Sequence, residues 1–283
     1  MYIILTLIYS LFSGCFDICK KTTNKKSNAL ASLALLSTGA FLLSLIWLPF
    51  LNNFSPILIL TLIFKGLICA INFYIIIKLL KSMNISGLVL IVVISTILTF
   101  LGSVFIFKEL ASVIQYIGCI IIIVCSIIMT LLNKNDAGKL NFKRILFLII
   151  SAVISTVCAF IDKYTNTYMN AINSQFWFLM SLCFFSWVFI LFTSLKVKTF
   201  IVDKKDLKNL SIYLSALFLF LGDIALFTAY SLPNTQLIII SSISKMKTVF
   251  TILFGVFIFK EKHKIPKILI TLIAILGVVL ISL

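Results

Sequence analysis

The chain has 283 residues, 62% of them hydrophobic and only 11% charged, with a mean hydropathy of +1.22. Water-soluble domains are near half apolar, so this composition excludes one and makes lipid the solvent. The net charge of +16 would fit nucleic acid, but basic loops beside apolar spans have a simpler use. They hold those loops on the cytoplasmic side, beside anionic lipid, so no nucleic-acid partner is expected.

The apolar runs are continuous and do not alternate with polar residues, so they read as helices rather than barrel strands. A helix needs about 20 residues to cross the hydrocarbon. Ten runs are long enough, at 2–19, 29–51, 57–80, 85–107, 112–132, 145–162, 174–195, 210–231, 236–258 and 267–283. The expected fold class is therefore an all-α polytopic membrane protein with ten transmembrane helices. The first run carries no charge before Asp17 and lacks a small-x-small cleavage site. It reads as a retained span rather than a signal peptide. Pro56, Pro233 and Pro266 sit where spans start or stop, and Pro49 predicts a kink near the end of the second. Gly66/Ala70 and Ala225/Ala229 have the four-residue spacing that lets helices approach closely.

The cysteines, at 15, 19, 69, 119, 125, 158 and 183, all fall in or beside apolar runs. They read as small hydrophobes, with no disulfide framework and no metal-ligand spacing. His263 lies in a basic loop and reads as solvated. No metal and no cofactor is expected.

The basic residues divide unevenly. Nineteen lie in or beside the loops after runs 1, 3, 5, 7 and 9, and only Lys108 and Lys163 lie on the other side. The excess predicts lysine-rich loops in the cytoplasm of a plasma-membrane protein, with both termini outside. Lys65, Lys245 and Lys247 lie inside runs.

One stretch occurs twice. VFIFKE fills 104–109 and again 256–261, and at the same 152-residue offset Ile91, Thr96, Thr99 and Leu101 recur as Ile243, Thr248, Thr251 and Leu253. The chain thus reads as two related halves, 1–132 and 145–283, joined by a short basic connection at 133–144. Five spans per half invert the second half in the membrane, a plan used by transporters with a site between the halves.

The ordered set of ten runs, with a fourth span in each half ending on Phe-Lys-Glu, resembles the EamA family of the drug/metabolite transporter superfamily. FSGCFDICKK at 12–21 and VCAFIDKYTN at 157–166 strengthen the resemblance and align Asp17 with Asp162. It implies secondary transport of a small solute, with spans 1, 3, 4, 6, 8 and 9 around a central cavity, and it implies no particular substrate. Members of the superfamily often keep their termini in the cytoplasm, where this charge pattern places them outside. SSISKMKTVFTILFGVFIFKE is also similar to the ninth span of nucleotide-sugar and triose-phosphate transporters of that superfamily, where a lysine meets phosphate.

Charge inside a span costs about 2.5–3.5 kcal/mol per residue on insertion scales, so these residues are the ones to weigh. Asp223 and Lys245 lie roughly 15–18 Å along their helices from the turn that joins spans 8 and 9. They stand at one depth and are expected to be within pairing reach. Two readings stay open: a structural ion pair, or a substrate site. Ser244 and Thr248 share a face with Lys245, and Lys247 shares one with Ser244. Two lysines against one aspartate leave an excess positive charge, which points to an anionic or zwitterionic solute such as an amino acid. The first half offers a polar wall of Asn72, Ser95, Thr96 and Thr99. Lys65 reads equally as a snorkelling or a cavity-facing lysine.

Asp17 and Asp162 fall at the ends of spans 1 and 6. They read as interfacial partners of Lys20 and Lys163, or as a gate or proton-coupling pair, with a proton or a second solute as coupling partner. Glu109 and Glu261 read as interface anchors. No HExxH, GxGD or GxSxG motif occurs, so an intramembrane enzyme is not expected, and a channel or structural protein fits the repeat less well.

Overall fold

The computed structural model describes residues 1–26, 28–52, 55–82, 89–110, 112–131, 142–197, 201–259 and 264–282. Among these residues there is no strand. The helices are α1 (Tyr2–Lys26), α2 (Ala29–Ser44), α3 (Pro56–Ser82), α4 (Val89–Phe105), α5 (Val113–Leu131), α6 (Phe142–Tyr168), α7 (Ala171–Val197), the short α8 (Lys204–Leu207), α9 (Leu210–Ser231), α10 (Leu237–Ser244), α11 (Met246–Phe259) and α12 (Lys264–Ser282). Among the described residues six segments are long and apolar enough to cross a membrane: Tyr2–Lys20, Ala29–Phe50, Pro56–Ile76, Ile145–Tyr168, Ala171–Lys196 and Leu210–Ser231. Ile94–Phe105, Val113–Cys125 and Ile268–Leu280 are shorter apolar helices.

Lipid offers the backbone no hydrogen-bond partner, which is why these apolar runs coil into helices. Their hydroxyls are silenced the same way. Thr6 donates to the Tyr2 carbonyl at 2.8 Å, Thr99 to Ser95 at 2.6 Å, Thr193 to Phe189 at 2.7 Å and Thr228 to Ile224 at 2.7 Å. Each hydroxyl rides on the turn before it, so its polarity is spent inside its own helix.

Pro49 ends the regular part of the second span, as expected. α2 stops at Ser44 and a 3₁₀ turn, Leu45–Phe50, carries the chain on. The ninth span departs from expectation. It does not run unbroken from 236 to 258, because α10 and α11 meet at Lys245. There the Lys245 N–H bonds the Ser242 carbonyl at 3.1 Å, and the Thr248 N–H bonds the Lys245 carbonyl at 2.9 Å. These three-residue bonds tighten one turn and interrupt the α-ladder. Neighbouring serines favour the break, since Ser241 bonds the Ile238 carbonyl and Ser244 that of Ser241. Two other limits also move. α1 runs past the expected 2–19 to Lys26, and α6 past 145–162 to Tyr168. Asp162 is therefore inside a helix and not at a span end, while Asp17 stays near the end of the apolar segment Tyr2–Lys20.

α1 packs on α9, α10 and α11, and α6 packs on α3, α4 and α9. α2 lies against α7 and α9, α3 against α7, and α5 against α12. One apolar core, including Leu62, Leu179 and Phe227, binds α3, α7 and α9. A second, including Ile122, Ile239, Val249 and Ala274, binds α5 to α10, α11 and α12. Gly66 is where α3 meets α7: a Cβ there would stand 2.0 Å from Ser181 Oγ. Only glycine permits that approach. The outward faces are apolar, with Ile57, Phe105 and Leu195 more than 70% exposed, whereas Lys65 and Asp162 are buried. Lipid outside and polar groups inside is the distribution a membrane imposes.

Candidate functional site

A cavity of about 390 Å³ lies in the middle of the bundle. That falls within the range of small-molecule sites. α1, α3, α4, α6, α9, α10 and α11 line it, with Phe178 of α7. Among the charged residues on its wall are Lys20, Lys65, Lys245, Lys247, Asp17, Asp162 and Asp223. Four lysines against three aspartates leave one formal positive charge.

The best-ordered part of the wall is the seam between α3 and α6. Lys65 forms an ion pair and hydrogen bond with Asp162. One turn along each helix, the Cys69 and Cys158 sulfurs stand 3.3 Å apart. One turn further, Asn72 Nδ2 donates to Ser155 Oγ at 3.1 Å, and Ser151 Oγ donates to Asn72 Oδ1 at 2.6 Å. Each step up α3, four residues and then three, is matched by an equal step down α6. The two helices are thus antiparallel with their polar stripes in register. The Lys65 ammonium also lies over the rings of Phe178 and Phe227, 3.8 and 4.4 Å from their centroids. Carboxylate on one side and π faces on the other replace the water it has lost.

The expected pairing of Asp223 with Lys245 is not among the ion pairs of the described residues, which join Lys65 to Asp162 and Lys163 to Glu109. The physical reason is the helix break. It carries Lys245 toward α4, where its Nζ contacts Ser95 Oγ at a long 3.4 Å. Asp223 instead lies within electrostatic reach of Lys65 and Asp162. Its Oδ2 is buried in the cavity wall and finds no hydrogen-bond partner among the described residues. Lys247 lies near Tyr9 and Asp17, and Lys20 near Asp17 and Lys247. Lys20 is buried, not looped out, and covers Phe73 at 4.5 Å. Ser244, Thr248, Asn72 and Ser95 line the cavity with these charges. Thr96 is buried but is not on the cavity wall.

Asp162 does not pair with its neighbour Lys163. Lys163 points along α6 to Thr235, donating to its carbonyl and, at 3.0 Å, to its Oγ1, with Glu109 Oε1 3.9 Å away. Glu109 is more than an interface anchor. Its carboxylate accepts the Leu237 N–H at 2.7 Å and the Ile238 N–H at 3.2 Å. It thus caps α10 at the end where the helix dipole favours an anion. Lys108 makes this possible by turning the chain with a left-handed φ of 51° just after α4. The second Phe-Lys-Glu copy gives no matching view, since Lys260, Glu261 and His263 lie outside the described residues.

Two features of the site were not legible in the sequence: the Lys65–Asp162 pair and the cavity-facing cysteines. Both depend on how α3 registers against α6, and no periodicity within either helix encodes that. Breaking a buried pair strands a charge and costs about 3–5 kcal/mol, whereas replacing both partners by apolar residues is often neutral. Lys65→Met and Asp162→Leu should each lower the melting temperature in detergent sharply, and the double variant should recover most of the loss. Additive losses in the double variant would contradict the pairing.

Comparison with known proteins bears on the whole arrangement. No curated protein matches the chain. Among solved structures 28 chains match. One crystal structure, described only as that of a protein, aligns over 100% of this chain and 98% of its own, with a TM-score of 0.75 at 14% identity. At that identity the likeness is one of fold alone. The model of the EamA-like transporter family matches residues 142–283. An all-helical chain with apolar outward faces, a charged interior cavity and that match belongs to the EamA-like transporter family, within the drug/metabolite transporter superfamily.

Proposed function

We propose that the protein is a secondary transporter that moves a small anionic or zwitterionic solute across the cytoplasmic membrane by alternating access. The observation that carries this reading is the interior cavity, whose described wall residues carry one excess formal positive charge, set against a broken helix. In lipid, broken helices mark binding sites, because only a polar cavity tolerates their freed backbone groups. Lys245 and Lys247, beside that break, would meet the solute's anionic group. Asp223, with an oxygen unpartnered, would meet an ammonium. Ser244, Thr248, Asn72 and Ser95 would supply neutral hydrogen bonds. Asp17 and Asp162 would serve as gate or coupling groups, with a proton or a second solute as the driving partner.

The reading includes ten spans in two inverted five-span halves, 1–132 and 145–283. The pattern of helix packing supports it. If α1 to α5 correspond to α6, α7, α9, α10 with α11, and α12, contacts come in exchanged pairs. α1 lies on α9 as α6 lies on α3. α1 lies on α10 and α11 as α6 lies on α4, and α2 lies on α9 as α7 lies on α3. The lysine-rich loops would be cytoplasmic.

Two measurements test the reading. Purified protein screened against a metabolite panel should be stabilised by anionic or zwitterionic solutes, because a ligand of the folded state raises its melting temperature. Lys245→Gln should abolish that stabilisation while the protein still inserts and folds. Stabilisation by cationic or neutral solutes alone, or an unchanged response in Lys245→Gln, would contradict the assignment. For orientation, single cysteines replacing the exposed residues Lys208 and Asn170 in an otherwise cysteine-free protein should label from the cytoplasm and from outside respectively. The opposite pattern would reverse the topology and leave the fold intact.

A further inference from the structure

We propose that Cys69 and Cys158 are an oxidisable dithiol built into the cavity wall, a modification site that closes as a disulfide between α3 and α6. Their sulfurs are 3.3 Å apart, both side chains line the cavity, and they come from different helices. They form the middle rung of the polar seam, fixed on one side by Lys65 and Asp162 and on the other by Asn72 and Ser155. The rungs above and below hold the two helices in the register the sulfurs need, so closure to a bond of about 2.05 Å requires only a small approach. No other cysteines combine these features. Cys119 and Cys125 are packed in the apolar core around α5, Cys183 contacts Thr38 at 3.5 Å, and Cys15 and Cys19 lie on one helix.

The reaction is thiol–disulfide exchange with a small disulfide that enters the cavity. Cys69 is the more exposed of the two. As thiolate it attacks one sulfur of the small disulfide, forms a mixed disulfide and releases one small thiol. The Cys158 thiolate then attacks Cys69 Sγ, forms the Cys69–Cys158 bond and releases the second small thiol. The protein loses two electrons and two protons, and the small disulfide gains them. A reducing cytoplasm keeps the pair as dithiol, and oxidative conditions close it. The bond joins residues 89 positions apart in the chain and fixes α3 to α6 at the Lys65–Asp162 pair. Neither helix can then slide past the other. The chemistry is independent of which solute the cavity holds and of whether it is transported.

The test uses the full-length protein in detergent with the disulfide form of β-mercaptoethanol as the probe. Peptide mass spectrometry should find the segments containing Cys69 and Cys158 cross-linked, with two hydrogens lost. The melting temperature should rise, because the bond restricts the unfolded chain. Dithiothreitol should reverse both changes. Cys158→Ser, a near-isosteric change, should stop at the mixed disulfide on Cys69, with no cross-link and no rise in melting temperature. Two results would overturn the site: a wild-type protein that accumulates the mixed disulfide without cross-linking, or one whose Cys69 and Cys158 stay reduced while other cysteines react.

Discussion

A charge taken into lipid must be matched there, and in this protein the match between Lys65 and Asp162 fixes how the central helices meet. The pair sits in the polar seam between α3 and α6. With the ammonium held by a carboxylate and two aromatic faces, the neighbouring turns fall into place. Asn72 meets Ser151 and Ser155, and the two sulfurs come together between them. A buried ion pair contributes little net stability compared with apolar residues of similar shape. Its contribution here is register, and the register creates one polar wall of the cavity.

The opposite wall follows from a second constraint, the interruption between α10 and α11 at Lys245. An α-helix broken in lipid leaves carbonyls without their usual partners. Ser10 of α1 donates to the Ile243 carbonyl at 2.9 Å, and Glu109 satisfies the N–H groups at the start of α10. The short helix α10 is thus held at both ends by groups from the first half of the chain. That hold places Lys245 against α4 and leaves Asp223 facing the space between. The cavity's charge pattern is a consequence of this geometry: a neutralised pair on one wall, two lysines at the break, and a carboxylate with an unpartnered oxygen.

Composition and hydropathy made the helical membrane fold legible, because continuous apolar runs have one stable outcome in lipid. Most expected spans match helices of the structure within a few residues at their ends. Intramembrane charge was an equally direct signal, and Lys65, Lys245, Lys247 and Asp223 all reach the cavity, as do Asp17 and Asp162, which were expected at span ends. Partner identity was not legible. Asp223 and Lys245 stand at one depth along the sequence, yet depth says nothing about rotation about the helix axis. The break at Lys245 turns that lysine away. Asp162 pairs with a lysine 97 residues distant rather than with its neighbour, since successive residues on a helix point about 100° apart. In sequence the cysteines look like lipid-compatible hydrophobes for the same reason: the register that brings two of them together belongs to the packing and not to either helix.

The central claim is that the α3–α6 seam faces a water-accessible cavity rather than a sealed polar core. Ser155 stands on that seam, and Ile149, on the same helix, faces outward at 40% exposed. The most direct measurement is labelling by a charged, membrane-impermeant methanethiosulfonate applied to both membrane faces. The targets are single cysteines at these positions in an otherwise cysteine-free protein. The cavity predicts rapid modification of Ser155→Cys and none of Ile149→Cys, which lipid shields. An inert Ser155→Cys, or equal labelling at both positions, would contradict it.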